Sequence, residues 1–274
     1  MTPIKEQLMD RKITVSAFQF PVAQNDPATN LTRIQNGLKE ANADIVVLPE
    51  LCTTGYFLAK EEWIQYAAKK NVDDILDAMI EMADQFDTHL VFTIPVANDH
   101  KILNAGYLVN GTGIVGMQPK IHVTDFERSF FSPPKSKRLR AIHSDMGIIA
   151  IISCFDLWDA DLFRQAKTQQ AGLICAPCAF GSERTPIIAR ARSMEFCTPL
   201  AMCNRTGTEI IGETLDSFIG QSAIWDEDGN ILTIAQKETE CIQTEVILNK
   251  PTSLPFCANL SEEMAWHKKT NPTG

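Results

Sequence analysis

A short apolar run in the middle of the chain, from Ile148 to Ile152, most constrains the fold. Its β-branched residues predict a fully buried strand, because the run is too short to cross a membrane and too β-branched for a helix. The run leads to Cys154, and apolar residues then recur at helical spacing as far as Ala171 and Gly172. Cys154 is therefore predicted to lie where a buried strand ends and a helix soon begins.

A cysteine at such a corner is a candidate nucleophile. Open α/β sheets keep their chemistry at the carboxyl edge of the strands. A helix N-terminus beside Cys154 would favour a negative charge and lower the pKa of its thiol. Most free cysteines, however, are buried structural residues. The corner alone leaves both interpretations open.

The elements before this corner indicate an α/β layered fold. Residues 12–20 predict a strand, and Asp26 followed by Pro27 predicts the start of a helix that runs to about Ala41. Residues 44–50 predict a second buried strand that ends at Glu50. Strand, helix and strand in this order are typical of layered α/β proteins. Glu50 follows a strand end as Cys154 does, although a glutamate there is more often a solvated loop residue.

The rest of the chain alternates between predicted helices and strands. A glycine pattern from Gly111 to Gly116 matches the dinucleotide-binding fingerprint, but strand-like residues follow it where that fingerprint requires a helix. Asn110 and Gly111 therefore predict a hairpin, and Lys120 lies in its returning strand, a place where lysines usually face solvent. The remaining predictions are helices over about 72–86 and from 185 onward, and strands over 89–97, 105–109, 172–177, 199–204, 218–225, 230–235 and 242–248.

Composition narrows the class of protein. The 274 residues carry a formal net charge of −9, which argues against nucleic-acid and anionic-membrane partners. The first dozen residues are polar and no apolar run is long enough to cross a membrane, so neither a secretion signal nor an anchor is expected. We expect a single domain over residues 1–274, with a core of roughly 12–248 and a C-terminal tail. Eight cysteines, several in apolar contexts, then favour a reduced cytoplasmic protein.

Cys175 and Cys178 form a C-x-x-C pair at the end of a predicted buried strand. Structural zinc sites need a second such pair or paired histidines, and none accompanies this one. The sequence therefore predicts no metal site here.

Three blocks of sequence, taken together, resemble the motifs of the nitrilase, or carbon–nitrogen hydrolase, superfamily. They are Leu-Pro-Glu-Leu-Cys-Thr-Thr-Gly-Tyr around Glu50, Pro-Lys-Ile-His-Val-Thr-Asp-Phe-Glu around Lys120 and Ser-Cys-Phe-Asp around Cys154. The resemblance continues in Arg-Ala-Arg-Ser-Met-Glu, Asn-Arg-Thr-Gly and Phe-Ile-Gly-Gln-Ser, so it covers most of the chain. True nitrilases follow the cysteine with Trp-Glu. This chain has Phe155 and Asp156, which is closer to the amidase and carbamoylase branches.

The resemblance implies an α/β fold in the form of a four-layer αββα sandwich. It also implies a hydrolase that cleaves an amide or carbamoyl bond of a small molecule through a cysteine thioester, releasing ammonia or an amine. Glu50 would be the general base, Lys120 the cation at the developing oxyanion and Cys154 the nucleophile, with Glu127 as an additional glutamate beside them. No metal or organic cofactor is implied, and a homodimer or higher homo-oligomer is usual in the family.

Five further residues are candidates for substrate binding. The backbone N–H of Phe155 would be the second donor to the oxyanion, and Tyr56, Trp158, Asp159 and Phe180 would contribute to the pocket. If Asp159 faces the pocket, it would favour substrates that carry an amine.

Two alternatives stay open at this point. One is a Cys–His hydrolase, in which His122 and Cys154 would act together. The other is a non-catalytic member of the same fold that binds rather than hydrolyses. Arg192 and Glu195, in a later block, are expected to form a structural ion pair.

Overall fold

The structure is a computed structural model that describes residues 11–249, 259, 260, 262, 263 and 265. Two six-stranded sheets pack against each other, and helices cover the outer face of each. This is a four-layer αββα sandwich, so the predicted fold class is confirmed. The predicted C-terminal tail lies largely outside the described residues.

The elements follow one another in a mixed order along the chain. The helices are α1 Pro27–Leu38, α2 Lys60–Ala67, α3 Lys69–Gln85, α4 Ala160–Thr168 and α5 Arg184–Phe196, with 3₁₀ helices at Glu127–Ser129 and Cys154–Trp158. The strands are β1 Arg11–Gln19, β2 Ile45–Val47, β3 His89–Asn98, β4 Lys101–Asn110, β5 Gly113–Pro119, β6 Ile142–Ser144, β7 Gly147–Ile151, β8 Leu173–Pro177, β9 Leu200–Cys203, β10 Thr206–Ile211, β11 Thr214–Ile219, β12 Ala223–Trp225, β13 Ile231–Ile234 and β14 Glu240–Leu248.

Each sheet has a parallel centre and antiparallel edges. The first sheet has the order β14-β1-β2-β3-β4-β5, in which β1, β2 and β3 run parallel. The second has the order β13-β12-β9-β8-β7-β6, in which β7, β8 and β9 run parallel. A separate two-stranded sheet is formed by β10 and β11. Parallel strands end at the same edge, which is where open α/β sheets place their sites.

The core between the sheets is almost entirely aliphatic. Val15 and Ile45 of the first sheet belong to the same buried cluster as Ile149 and Leu173 of the second. The outer faces are closed by helices: α1 and α3 pack on the first sheet, and α4 and α5 pack on the second. Strands buried on both faces explain why the sequence shows continuous apolar runs in β2 and β7.

Most predicted element positions are confirmed, with small shifts at the ends. The Asp26 side chain accepts a hydrogen bond from the Thr29 N–H at 3.0 Å, and Pro27 opens α1, as predicted. That helix ends at Leu38, short of the predicted Ala41. The hairpin at Asn110 is also confirmed, because Asn110 pairs with Gly113 across the β4–β5 turn and no helix follows.

Other features of the fold differ from the predictions. The single strand predicted over 218–225 is wrong: β11 ends at Ile219 and β12 begins at Ala223. Gly220, with a φ of +65°, lies between them, and a Cβ there would come within 2.9 Å of the Gln19 side chain. The chain therefore turns at this glycine. The strands β6 and β10 and the helix α2 have no counterpart in the predictions.

Across the described ranges, no helix combines the length and apolar character that a membrane span requires.

Candidate active site

Three of the predicted site residues lie just beyond strand ends at the same edge of the sandwich. Glu50 follows β2, Lys120 follows β5 and Cys154 follows β7. The Glu50 N–H donates to the carbonyl of Cys178, just after β8, at 3.1 Å. This hydrogen bond joins the strand ends of the two sheets, so side chains that are far apart in sequence meet there.

A cluster of three charged side chains forms the floor of the site. Lys120 Nζ donates to Glu50 Oε1 at 2.8 Å and to Glu127 Oε1 at 2.5 Å. Asn104 Nδ2 donates to the same oxygen of Glu50 at 2.8 Å. Glu50, Lys120 and Glu127 are only 0%, 3% and 1% exposed. Lys120 therefore does not face solvent, as a lysine on a strand usually does; its charge is buried because two carboxylates surround it.

Asp156 fixes the backbone that carries Lys120. Its carboxylate accepts hydrogen bonds from the N–H groups of Ile121 and His122 at 2.9 and 2.7 Å. The Lys120 N–H in turn donates to the Asn104 carbonyl at 2.8 Å. Burial raises the pKa of Asp156 to about 6, although the two backbone hydrogen bonds oppose that rise.

Glu127 is held in its ionised form. Burial alone would raise the pKa of its carboxyl, but the charge and hydrogen bond of Lys120 outweigh burial and the pKa is lowered. Thr124 N donates to Glu127 Oε2 at 2.8 Å, and the Tyr56 hydroxyl is a further hydrogen-bond partner. The same surroundings raise the pKa of Lys120 well above its usual value: burial opposes this, but the neighbouring carboxylates prevail.

The Glu50 carboxylate is able to accept a proton. Burial raises the pKa of its carboxyl, and the charge of Lys120 only partly offsets that rise. Its Oε1 is occupied by Lys120 and Asn104, whereas its buried Oε2 has no hydrogen-bond partner of normal geometry within the described part of the chain. The Cys154 thiol is close enough to interact with this carboxylate and lower its pKa.

Cys154 begins the 3₁₀ helix after β7, in a left-handed backbone conformation with a φ of +49°. Its sulfur lies 3.7 Å from the carbonyl oxygen of Ala179. The pKa of the thiol is raised well above its usual value, first by a hydrogen bond with the Cys178 thiol and then by burial. The expectation of a lowered pKa is therefore wrong: Cys178 and burial raise the pKa, and α4, whose N-terminus was expected to lower it, begins only at Ala160, six residues after Cys154.

Aromatic side chains pack beside this cluster around Tyr56, whose hydroxyl bonds to Glu127. Tyr56 stacks with Phe126 at a centroid distance of 6.2 Å, and Phe57 stacks with Phe218 at 6.1 Å. The Phe180 backbone is also held at the site, since Asn204 bonds to both its N–H and its carbonyl at 3.0 Å.

The other predicted pocket residues lie on the 3₁₀ helix and at its end. Phe155 and Trp158 expose large parts of their side chains. Asp159 pairs with His122 Nε2 at 2.7 Å and accepts from the Asp161 N–H at 2.8 Å as the cap of α4. Its carboxylate therefore already has two partners.

Some residues of the site were not identified from the sequence. Asn104 is an ordinary strand residue in the sequence, and Asp156 lay unassigned in the matched block around Cys154. Glu209 is fully buried, and its Oε2 accepts from the N–H groups of Tyr56 and Phe57 at 2.8 and 2.9 Å. Its position shortly after the matched Asn-Arg-Thr-Gly block was the signal that could have indicated it. The predicted ion pair of Arg192 with Glu195 is confirmed at 2.6 Å.

Comparisons with known proteins identify the family of this chain. Residues 14–255 match the family model described as carbon–nitrogen hydrolase. The chain is 25% identical over 219 residues to a nitrilase from Pyrococcus abyssi, covering 78% of this chain and 82% of that protein. It is 24% identical over 259 residues to the N-carbamoylputrescine amidase of Arabidopsis thaliana, covering 85% of each.

A solved structure shows the same fold. A mutant of the amidase from Nesterenkonia sp. AN1, with covalent addition of the acetamide moiety of fluoroacetamide at its active-site cysteine, superimposes with a TM-score of 0.78. The alignment covers 95% of this chain and 97% of that chain, at 20% sequence identity. Since the family model covers most of the sequence, the chain belongs to the carbon–nitrogen hydrolase family and is a hydrolase of carbon–nitrogen bonds.

Proposed function

We propose that this protein hydrolyses an amide or carbamoyl bond of a small molecule, with Cys154 as nucleophile, Glu50 as general base and Lys120 as the cation at the oxyanion. The observation that carries the proposal is the buried Glu50 carboxylate. Its Oε1 is held by Lys120 and Asn104, its Oε2 is unpaired in the described structure, and the Cys154 thiol is close enough to lower the pKa of the carboxyl. An unpaired buried oxygen is costly unless it has a use. Accepting the thiol proton is such a use.

The first half of the reaction forms a thioester. Glu50 takes the proton from the Cys154 thiol as the sulfur attacks the carbonyl carbon. The raised pKa of Glu50 makes it a stronger base, which suits a thiol whose own pKa is raised. The developing oxyanion is stabilised by the ammonium of Lys120 and the backbone N–H of Phe155. The first hydrogen bond of the 3₁₀ helix is donated by the next residue, Asp156, so that bond does not use the Phe155 N–H. Glu50 then returns the proton to the leaving nitrogen, and ammonia or an amine departs.

The second half releases the acid. Water attacks the thioester carbon, and Glu50 removes a proton from that water. The same donors stabilise the second oxyanion, and the Cys154 thiolate leaves and regains its proton from Glu50. Glu127 does not take part in this transfer: its lowered pKa keeps it ionised, so it holds Lys120 charged and in place.

The substrate is proposed to be a small molecule with a neutral group near the reacting bond. Tyr56, Phe57, Phe126 and Phe218 present aromatic surface at the site. Asp159 is occupied by His122 and by the cap of α4, so we assign it to support of the 3₁₀ helix rather than to an amine of the substrate. Acyl amides, carbamoyl amines, carbamoyl amino acids and ω-amides are the classes to test, and the relatives named N-carbamoylputrescine amidase and 2-oxoglutaramate amidase fall within this chemistry.

The proposal is tested by trapping the nucleophile. Fluoroacetamide should alkylate Cys154, forming a bond from sulfur to carbon while fluoride leaves, and peptide mapping by mass spectrometry locates the adduct. Cys154→Ala should remain unlabelled at low reagent and should release no ammonia in a screen across the four substrate classes. Labelling of another cysteine, with Cys154 free and ammonia release intact in Cys154→Ala, would contradict the proposal.

The Cys–His alternative finds less support in the same geometry. His122 pairs through Nε2 with Asp159, whereas Lys120 is the residue that contacts Glu50. A non-catalytic binding role is also less consistent with a base whose Oε2 is unpaired in the described residues.

We also propose how the protein exists in the cell. The seven cysteines that the structure describes are all free, which supports a reducing, cytoplasmic location. We propose one domain, with its core over about 12–248 and a C-terminal tail. We also propose that it has no nucleic-acid or membrane partner.

A homodimer or higher homo-oligomer is supported by large exposed apolar side chains on α5, at Ile187 and Met194.

A further inference from the structure

A second thiol lies beside the nucleophile, and the proposed reaction does not use it. Strands β7 and β8 are parallel neighbours in which Ile151 is paired with Cys175. Cys154 and Cys178 each come three residues after that pair. The pairing continues beyond the strands, since the Ile152 N–H donates to the Cys175 carbonyl at 3.0 Å. The segments that follow β7 and β8 therefore lie side by side at Cys154 and Cys178.

The contacts around the sulfurs support this placement. The Cys154 sulfur lies 3.7 Å from the carbonyl oxygen of Ala179, the residue after Cys178. Both cysteines belong to the same buried cluster on the outer side of the second sheet. The Cys178 thiol also raises the pKa of the Cys154 thiol, which requires the two groups to be close together.

Cys175 does not share this environment. Alternate residues of a strand point to opposite faces, and Cys175 lies in the cluster between the two sheets, apart from Cys154. The C-x-x-C spacing of Cys175 and Cys178 is therefore not the functional pair. The pair that the fold brings together is Cys154 with Cys178.

We propose that Cys154 and Cys178 form a reversible oxidation site, in which peroxide converts the two thiols into a disulfide that blocks hydrolysis. Neighbouring strands lie about 4.8 Å apart, and disulfides join Cα atoms separated by roughly 4.4–6.8 Å. The proposal rests on the proposed function in one respect, namely that Cys154 is the nucleophile.

The chemistry balances with hydrogen peroxide as the oxidant. Glu50 takes the Cys154 proton while the sulfur attacks one peroxide oxygen; an S–O bond forms, the O–O bond breaks, and the leaving hydroxide takes that proton as water. Cys154 is then a sulfenic acid, oxidised by two electrons. The Cys178 sulfur attacks the Cys154 sulfur, the S–O bond breaks, and the oxygen leaves as water with the Cys178 proton. A dithiol reductant returns both thiols.

The order of events follows from access. Cys154 is 8% exposed and faces the site that a small substrate must enter, whereas Cys178 is 0% exposed. Peroxide therefore meets Cys154 first. Cys178 is positioned to capture the sulfenic acid before further oxidation to sulfinic acid, which is irreversible without a dedicated repair enzyme.

The test treats the full-length protein with hydrogen peroxide and then with dithiothreitol. Mass spectrometry of the unreduced protein should show a loss of about 2 Da, the mass of two hydrogens, and peptide mapping should find Cys154 linked to Cys178. Activity should disappear with the linkage and return on reduction. Cys178→Ser and Cys178→Ala should instead gain oxygen atoms on Cys154 and recover little activity. Cys175→Ala, from the same strand but the other face, should behave like the wild type.

Three results would overturn the proposal. One is oxygen added to Cys154 in the wild type at the same rate as in Cys178→Ser, with no linkage and no recovery; the proposed function would survive that result. Another is a disulfide between other cysteines. The third is full activity in protein whose Cys154–Cys178 linkage is complete, which would also remove Cys154 from the hydrolytic reaction.

Discussion

At the scale of single residues, the site depends on placing one ammonium between two carboxylates in the protein interior. Lys120 contacts Glu50 and Glu127, and burial acts differently on the two acids: the pKa of Glu50 is raised while that of Glu127 is lowered. Two like groups with pKa values pushed apart can take different roles. In the proposed reaction, Glu50 is the base and Glu127 keeps the lysine charged.

Removing the lysine charge tests this division. Lys120→Met should lower kcat by roughly 10²–10³-fold or more, because a preorganised charged donor to the oxyanion is lost. It should also destabilise the protein by about 3–5 kcal/mol, because two buried carboxylates lose their partner. Steady-state kinetics and urea unfolding measure the two effects.

The control variant shows whether the loss of activity is specific to Lys120 or is shared by His122, two residues further along the chain. His122→Ala should retain most of the activity, since the His122 side chain pairs with Asp159. If Lys120→Met does not fold, kcat is measured instead in the double variant Lys120→Met/Glu127→Gln, in which one of the two buried carboxylates left without a partner is also neutralised. Loss of activity in a folded His122→Ala, with activity retained in Lys120→Met, would favour the Cys–His mechanism.

Asp156 should make stability depend on pH. Its carboxyl has a pKa of about 6 in the folded protein against an ordinary value of 3.8. The folded state therefore binds the proton more tightly, and the contribution of Asp156 to the free energy of unfolding increases as pH falls from about 6.5 to 4.5. The increase should be on the order of 1–2 kcal/mol.

The measurement compares the wild type with Asp156→Asn by urea unfolding across this pH range. The variant cannot titrate at this position, so the difference between the two proteins isolates Asp156. A difference that stays constant with pH, or that favours the variant as pH falls, would show that the pKa of Asp156 is not raised.

At the scale of elements, the hairpin of β10 and β11 supports the loop that follows Glu50. Glu209 of β10 bonds to the backbone of Tyr56 and Phe57 and forms a fully buried ion pair with Arg205. The Arg205 guanidinium also lies over the Phe218 ring of β11, 4.3 Å from its centroid. The hairpin and the loop therefore form one unit beside the aromatic side of the site.

Glu209→Gln should weaken this unit. The substitution leaves the buried Arg205 charge without its counterion, so we expect a loss of about 3–5 kcal/mol in the free energy of unfolding. It should also raise KM more than it lowers kcat, because Tyr56 loses its anchor while Cys154 and Lys120 keep theirs. Glu213→Gln, at the exposed end of the same hairpin, is the matched control and should stay within about 0.5 kcal/mol of the wild type. Equal effects of the two substitutions would contradict this role.

At the scale of the whole molecule, an apolar surface remains on the helical layer of the second sheet. Ile187 of α5 is 67% exposed, and Met194, two turns further along the same helix, is exposed as well. Trp158 is close to this helix, because its carbonyl accepts a hydrogen bond from Arg192 at 3.3 Å. Exposed apolar side chains that lie near one another can mark a contact between subunits.

The assembly is tested with two substitutions of equal chemistry. Ile187→Glu should shift the protein towards smaller species in sedimentation velocity, since it places a charge in the proposed contact. Ile64→Glu, on α2, changes a similarly exposed isoleucine, 56% exposed, on a different helix and should leave the sedimentation coefficient unchanged. A wild type that is monomeric at micromolar concentration, or an identical response of both variants, would exclude an interface on α5.

The sequence alone was sufficient for the order of most elements and for three charged residues that the structure brings together, Glu50, Lys120 and Glu127. Local signals determined these features: continuous apolar runs predicted β2 and β7, Asp26 and Pro27 predicted the start of α1, and the blocks around Glu50, Lys120 and Cys154 carried the family resemblance. Each depends on residues that are close together in the chain, so each can be recognised without knowing the fold.

The tertiary structure alone decided the environment of those residues. The burial of Lys120, the support of the Tyr56 loop by Glu209, the raised pKa of Cys154 and its position near Cys178 all come from segments that are distant in sequence. Strand order and register bring these segments together, and neither can be recognised from the local sequence pattern of any one strand. The physical reason is that burial and electrostatic interaction depend on distance in space, whereas sequence patterns report only neighbours along the chain.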